Sequence, residues 1–127
     1  MCVCVCVCVP HVWALQALHA RQYLKESYGL NDVVIIDTPY LNSVSNGLRH
    51  AVKNLDAVVF ADVCKQGLHP LAGIVCELQN DGLLPRKWQC VAATPTYNPL
   101  GSTVTFTSIE DVMEAALTAL SIDETSV

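Results

Sequence analysis

Four short runs of mostly apolar residues alternate along the chain with segments whose apolar residues recur every three or four positions. The runs cover residues 1–9, 33–36, 57–61 and 89–93. Continuous apolar runs of this kind are typical of strands buried on both faces of a sheet. The resulting order βαβαβαβα predicts an α/β fold with three layers, in which helices cover both faces of a mainly parallel sheet of about four strands.

The helical segments carry apolar stripes and end signals. In chain order the predicted buried faces are Ala14, Ala17, Leu18 and Leu24; Val44, Leu48, Ala51, Val52 and Leu55; Leu71, Ile74, Val75 and Leu78; and Val112, Ala115, Ala116 and Ala119. Ser43 or Ser45 can cap the second helix, and Ser108 the fourth. Gly29 and Gly82 are placed to end the first and third helices.

The first run is a two-residue repeat, in which Cys2, Cys4, Cys6 and Cys8 alternate with valines. In DNA, an uninterrupted repeat of the dinucleotide TG encodes this sequence, because TGT is a Cys codon and GTG is a Val codon. One interpretation is therefore a translated microsatellite rather than a selected motif. As a strand it places the four thiols on one face, where they could hold a soft metal. A buried strand is the favoured alternative, because C-x₂-C is absent and thiols on one strand make a poor tetrahedron.

Composition narrows the class of protein. The 127 residues, 52% of them hydrophobic and 15% charged, predict one folded domain over residues 1–127, with a frayed tail over 121–127. A net charge of −5 without a block of Lys or Arg argues against nucleic-acid binding. Seven cysteines, an odd number, favour a reducing intracellular compartment. The start lacks signal-peptide and transit-peptide character. In a eukaryote the mitochondrial matrix stays open as the reducing compartment, although the chain carries no transit peptide for it.

The loops that follow the predicted strands are where a parallel sheet places ligands. Dinucleotide, P-loop and nucleophile-elbow motifs are absent from the sequence. The loop after the third run gathers polar residues that could bind a ligand, namely Asp62, Lys65 and Gln66. Cys64 and His69 in the same loop could form a thiolate–imidazolium pair, although a small apolar Cys and a surface His are the simpler interpretation.

Three stretches together resemble a known family. They are His11 to Ala17; residues 33–44, similar to a "V-I-D-L-x-x-L-x-P" strand and turn; and residues 94–99 followed by 108–112, similar to a "P-x-P-Y-x-P … S-x-E-D-I" ending. On these stretches the chain resembles the C-terminal domain of transketolase-like, thiamine-diphosphate-dependent enzymes, and among them the β subunit of the 2-oxoacid dehydrogenase E1 component.

The resemblance implies a non-catalytic assembly or interaction domain, which would be a fragment of an oxidoreductase. Thiamine diphosphate and Mg would belong to other domains of the parent enzyme, because this chain has no G-D-G…N motif and is expected to bind no cofactor. The partners implied are other E1 domains or subunits and the acyltransferase core. Tyr97 and Asn98 would lie in an interface or ligand loop.

The resemblance also implies an open sheet edge. The family's domain begins with an antiparallel strand that this sequence lacks, which suggests a truncated gene product and leaves the strand at 33–36 without a neighbour on one side. A homodimer or larger oligomer is therefore expected, with a two-fold contact through this edge as the usual closed form. A monomer is the alternative, if the helix from Val44 to Leu55 or the loop at Asp37–Asn42 shields the edge. For the function itself there is a further alternative. The alternative is a stand-alone flavodoxin-like enzyme or small-ligand binder that uses the loop after the third strand.

Overall fold

The computed structural model describes residues 3–7, 12–38, 42–65, 71–96 and 107–120. Four strands and four helices alternate in the predicted order: β1 (Val3–Val7), α1 (Val12–Tyr28), β2 (Val33–Asp37), α2 (Asn46–Val52), β3 (Ala57–Lys65), α3 (Leu71–Asn80), β4 (Lys87–Ala93) and α4 (Ile109–Leu120). Among these helices none is long and apolar enough to cross a membrane. The tail at 121–127 lies outside the described residues.

All pairings in the described sheet are parallel, and the strand order is β2-β1-β3-β4. The described part of the Cys-Val repeat, Val3–Val7, thus lies between β2 on one side and β3 on the other. The burial predicted for its side chains, and the alternative metal stripe, fall on side chains that the structure does not describe. The strand at 33–36 lies at an edge of this sheet, as expected.

Two hydrophobic clusters cover the two faces of the sheet. In one, α1 and α4 pack against Ala57, Val59 and Ala61 of β3. In the other, α2 and α3 pack against Val58 and Phe60. Because neighbouring residues of a strand point to opposite faces, β3 contributes to both clusters. The three-layer α/β/α class is confirmed.

The helix ends follow the sequence signals. Ser45, rather than Ser43, caps α2, since its Oγ accepts the backbone N–H of Leu48 at 3.1 Å. Ser108 and Asp111 form a reciprocal cap on α4, each backbone N–H donating to the other's side-chain oxygen. Gly29 and Gly82 both have positive φ, at 66° and 68°, a conformation that glycine adopts at little cost after a helix.

Three details differ from the predictions. Leu18 is exposed, because Ala17, Ala20 and Leu24 define the buried face of α1 and Leu18 points away from it. The third strand does not end at residue 61 but continues to Lys65 through an irregularity in its pairing with β4. The fourth strand begins at Lys87, two positions before the predicted start.

Candidate functional site

Three buried polar residues, Thr38, Asp62 and Thr107, mark the carboxyl-end side of the sheet among the described residues. Thr38 directly follows β2, Asp62 lies in the last part of β3, and Thr107 precedes α4. The chain leaves β1 toward one edge of the sheet and β3 toward the other, so the reversal of strand order lies between these two strands. Such a reversal is where open α/β sheets bind ligands.

Among these three residues, Asp62 makes the contacts that define the region, and it is only 3% exposed. One carboxylate oxygen, Oδ1, accepts the backbone N–H of Cys64 at 3.0 Å, and its backbone carbonyl accepts the Thr107 hydroxyl at 2.8 Å. The other carboxylate oxygen, Oδ2, is buried and has no hydrogen-bond partner within the described part of the chain. A buried carboxylate oxygen without a partner is costly, and it marks a place where a hydrogen-bond donor could be accommodated.

The hydrogen bond from the backbone N–H of Cys64 to Asp62 lies within the irregular part of β3, beyond its predicted end. An aspartate that accepts the N–H two residues ahead forms a local turn-like bridge. Pairing with β4 is interrupted between Ala61 and Lys65 and resumes opposite Ala93. The polar residues from Asp62 onward predict a loop that begins here, whereas the structure has an irregularity within a strand.

Two thiols are affected by this carboxylate. Burial, then the charge of Asp62 and a hydrogen bond with its side chain, raise the pKa of the Cys64 thiol above its ordinary value. The pKa of the Cys90 thiol on β4 is also raised, first by loss of solvation and then by the charge of Asp62, and part of this residue remains exposed to solvent. Reactive cysteines have lowered pKa values. The described surroundings of Cys64 therefore disfavour its thiolate, and the pairing with His69 stays a prediction because His69 lies outside the described residues.

The predicted site residues divide into two groups. Asp62, Cys64 and Lys65 lie together at the end of β3, and Cys64 and Lys65 are half-buried. The other four predicted residues, Gln66, His69, Tyr97 and Asn98, lie outside the described residues. Their assignment to a ligand or interface loop therefore stays a prediction.

The part of the chain that the structure describes contains no group of three His, Cys, Asp or Glu side chains arranged to hold a metal ion. The buried carboxylate of Asp62 would also repel a diphosphate, because like charges at close range are unfavourable in a poorly solvated position. What Asp62 can do is accept a hydrogen bond from an uncharged or cationic donor.

A second feature is not predicted by the sequence: an apolar groove between α3 and β4. It has a volume of about 240 Å³ and is lined by Ala72, Val75, Cys76, Gln79, Trp88 and Cys90. Trp88 is held there by an edge-to-face contact with Phe60, with ring centroids 6.4 Å apart. In the sequence, what could have indicated this groove is the position of Trp88 at the edge of a predicted element. A tryptophan at such a position suits core packing and a subunit interface equally.

Comparison with known proteins shows the fold. No protein-family model matches the chain, and no curated protein sequence matches it. A solved structure described as "Split gene transketolase, inactive beta4 tetramer" superposes with a TM-score of 0.73 at 17% sequence identity. The match covers 95% of this chain and 39% of that chain. The chain therefore has a transketolase C-terminal-like fold, and it spans well under half of the length of the transketolase chain that it matches.

Proposed function

We propose that the chain is a non-catalytic assembly domain, and a fragment of a longer thiamine-dependent 2-oxoacid dehydrogenase E1 β-like protein. One observation carries this proposal. Nearly all of this chain, 95% of it, superposes on 39% of a transketolase chain. In this proposal the chain corresponds to one domain of a larger enzyme, and the remaining domains would carry the chemistry.

Sequence motifs support the E1 β branch within this fold. The stretch similar to the family's strand and turn includes Val33–Asp37, which forms β2. The stretch similar to the family's ending includes Ser108 and Asp111, which form the cap of α4. The parent enzyme in this proposal is an oxidoreductase that uses thiamine diphosphate and Mg outside this chain.

Other E1 domains or subunits, and the acyltransferase core, are the partners in this proposal. Association with further copies of the chain is part of it, and the similar transketolase, which is described as a tetramer, supports that part. We also propose a reducing intracellular compartment, the mitochondrial matrix if the source is eukaryotic. Cys64, Cys76 and Cys90 form no disulfide within the described part of the chain, which is compatible with such a compartment.

The experiment that tests the proposal is immunopurification from the native source with an antibody against this chain. The proposal predicts that the antibody recovers a chain longer than 13.8 kDa, in an assembly that oxidatively decarboxylates a 2-oxoacid when thiamine diphosphate and Mg²⁺ are supplied. Recovery of a 13.8 kDa protein with its own turnover, and without that activity, would contradict it.

A second candidate function is a stand-alone flavodoxin-like binder of small ligands. The observation that favours it is the buried Oδ2 of Asp62, which has no hydrogen-bond partner in the described region. It lies where the strand order reverses, and a sugar hydroxyl or an amine could donate to it.

Thermal unfolding of the wild type and of Asp62→Asn, with a panel of pentoses, hexoses and free amines as probes, tests this second candidate. The expected result is a compound that raises the Tm of the wild type and fails to raise that of the variant. If no probe changes the Tm of the wild type, or if both proteins respond equally, Asp62 binds none of these compounds. If a turnover is found, unchanged rates in Cys64→Ala and His69→Ala would remove both residues from its mechanism.

A further inference from the structure

Oδ2 of Asp62 is the one buried side-chain oxygen or nitrogen of the described residues that has no hydrogen-bond partner. The residue that carries it is 3% exposed. A buried carboxylate oxygen in this state costs stability until a donor reaches it. The hydrogen-bonding groups around Asp62 indicate which kind of donor fits.

The hydrogen-bond donors described beside Asp62 are already used. The backbone N–H of Cys64 donates to Oδ1 at 3.0 Å, and the Thr107 hydroxyl donates to the backbone carbonyl of Asp62 at 2.8 Å. At the adjoining start of α4, the N–H groups of Ser108 and Asp111 each donate to the side chain of the other residue. These described neighbours therefore offer a ligand acceptors, namely Oδ2 and the lone pairs of the Thr107 hydroxyl.

An environment that offers acceptors selects a ligand that brings only donors. An ammonium group has three N–H donors and no acceptor, whereas each hydroxyl of a sugar is both a donor and an acceptor. A sugar buried against Asp62 would leave some of its own oxygens without donors, which is unfavourable. The negative charge of Asp62, which also acts on the thiols of Cys64 and Cys90, attracts a cation and repels carboxylates and phosphates.

Ammonium fits this position better than guanidinium does. A guanidinium group binds a carboxylate best through two parallel N–H bonds, one to each oxygen. At Asp62 the oxygen without a partner is Oδ2 alone, since Oδ1 accepts the N–H of Cys64. Because so little of the residue is exposed, a slender group reaches it more readily than a broad one. The ligand indicated is a primary ammonium group on an unbranched alkyl chain.

Two nearby side chains are the internal competitors for this carboxylate. The thiol of Cys64 interacts with the side chain of Asp62, but a thiol is a weak donor, and a charged donor forms a bond about twice as strong as a neutral one. The ammonium of Lys65, further along β3, does not occupy Oδ2, because that oxygen has no partner among the described residues. An external ammonium group therefore replaces only a weak contact.

We propose that Oδ2 of Asp62 binds the ammonium group of a small, unbranched primary amine at the carboxyl-end side of the sheet. This proposal rests on the second candidate function above and names the class of its ligand. It is independent of the larger enzyme to which the chain is proposed to belong.

Three probes with the same alkyl chain and different head groups test this proposal: butylamine, butyltrimethylammonium and butanol, at neutral pH and constant ionic strength. Butylamine is protonated under these conditions and carries both charge and N–H donors. Butyltrimethylammonium carries the charge without a donor, and butanol carries a donor without the charge. Thermal unfolding over a range of probe concentrations gives each dissociation constant. Butylamine alone is expected to raise the Tm of the wild type, and glucose, measured beside the three probes, is expected to leave it unchanged.

Variants identify the group that is responsible. Asp62→Asn keeps the shape of the side chain and should weaken the binding of butylamine by at least about tenfold. Glu114→Gln is the matched control, because it removes a negative charge from an exposed position on α4 and should bind butylamine as the wild type does. Cys64→Ser puts a stronger donor beside the carboxylate and should weaken binding, whereas Cys64→Ala should bind butylamine at least as tightly as the wild type. This opposite pair is informative even if Asp62→Asn does not fold.

The other outcomes each overturn the proposal. Equal effects of butylamine and butyltrimethylammonium would show a response to charge alone. Equal responses of the wild type and Asp62→Asn would place the amine elsewhere. No response to butylamine would show that Asp62 is closed to amines. A rise in Tm with glucose and none with butylamine would refute the ammonium ligand and leave the second candidate function standing, so the two failures are distinguishable.

Discussion

The centre of the sheet and its two edges differ sharply in how their side chains are covered. Residues 57–61 of β3 are at most 5% exposed, with α1 and α4 on one side and α2 and α3 on the other. Val34 and Trp88, on the two edges, remain more than one-third exposed. The centre thus provides the stability of the fold, and the edges retain apolar surface that a further strand could cover.

Truncation of Phe60 should have the largest effect on stability, because its side chain is fully buried between α3 and the sheet. Phe60→Ala is expected to lower the free energy of unfolding by roughly 3–5 kcal/mol, through lost burial and the cavity that remains. Urea denaturation followed by circular dichroism measures this. Val34→Ala is the control at the edge and should change the same quantity by less than about 1 kcal/mol. Equal losses in the two variants would break the contrast between centre and edge.

The covered centre could be predicted from the sequence because it depends on local patterns. The four buried residues predicted on α3, Leu71, Ile74, Val75 and Leu78, are all confirmed. The caps at Ser108 and Gly82 are confirmed as well. Such features follow from helical spacing and from the preferences of single residues, which the sequence states directly.

The edges and the site could be predicted only in part, because they depend on which strands become neighbours. The common level of Val34 and Trp88 follows from three pairing registers, none of which is visible in the residues themselves. The interaction of Arg49 with Glu77 joins residues 28 positions apart. The sequence identifies Asp62 as a candidate, but its burial and its unpartnered oxygen depend on the packing around β3.

A set of charged side chains joins α2 to α3 in the helix layer that these two helices form. Arg49 on α2 forms ion pairs with Glu77 and Asp81 near the end of α3, and Glu77 also accepts the backbone N–H of Val44 at 3.3 Å. Arg49→Gln should lower the free energy of unfolding by about 0.5–1 kcal/mol, since these side chains are partly exposed. The loss relative to the wild type should shrink in 1 M NaCl. A loss independent of salt would show that packing of the Arg49 stem, rather than charge, holds the layer.

At the carboxyl end of β3, replacement of Asp62 should change the pKa values of two thiols, Cys64 and Cys90. Asp62→Asn is expected to lower the pKa of Cys64 toward its ordinary value, because the charge and the hydrogen bond are removed while burial remains. The pKa of Cys90 should fall less, since only the charge is removed there. Alkylation by iodoacetamide as a function of pH, with mass spectrometry of each cysteine peptide, gives both values. If the Cys64 profile is unchanged, the carboxylate does not act on that thiol.

The raised pKa values of Cys64 and Cys90 also predict how the free energy of unfolding changes with pH. A group whose pKa is higher in the folded state binds its proton more tightly there. The stability linked to the two protonated thiols is therefore fully present below their ordinary pKa and is lost as pH rises through the raised values. In the double variant Cys64→Ala, Cys90→Ala, the fall in Tm at alkaline pH should be smaller than in the wild type.

The smallest effect on stability is expected at the edge itself. Val34→Lys should change the free energy of unfolding of the single chain by no more than about 0.5 kcal/mol, because the side chain already faces solvent. Urea denaturation at a concentration too low for association isolates this quantity. A large loss would mean that Val34 supports the core rather than an interface, and the contrast between centre and edge would be weakened.

Light scattering of the wild-type chain over a hundredfold range of concentration, beginning in the low micromolar range, tests assembly through the edges most directly. If the edges are used for assembly, the weight-average mass lies above the 13.8 kDa of one chain and falls on dilution. A mass equal to one chain at every concentration would contradict this claim, because it would show that the exposed edges do not bring copies of the chain together.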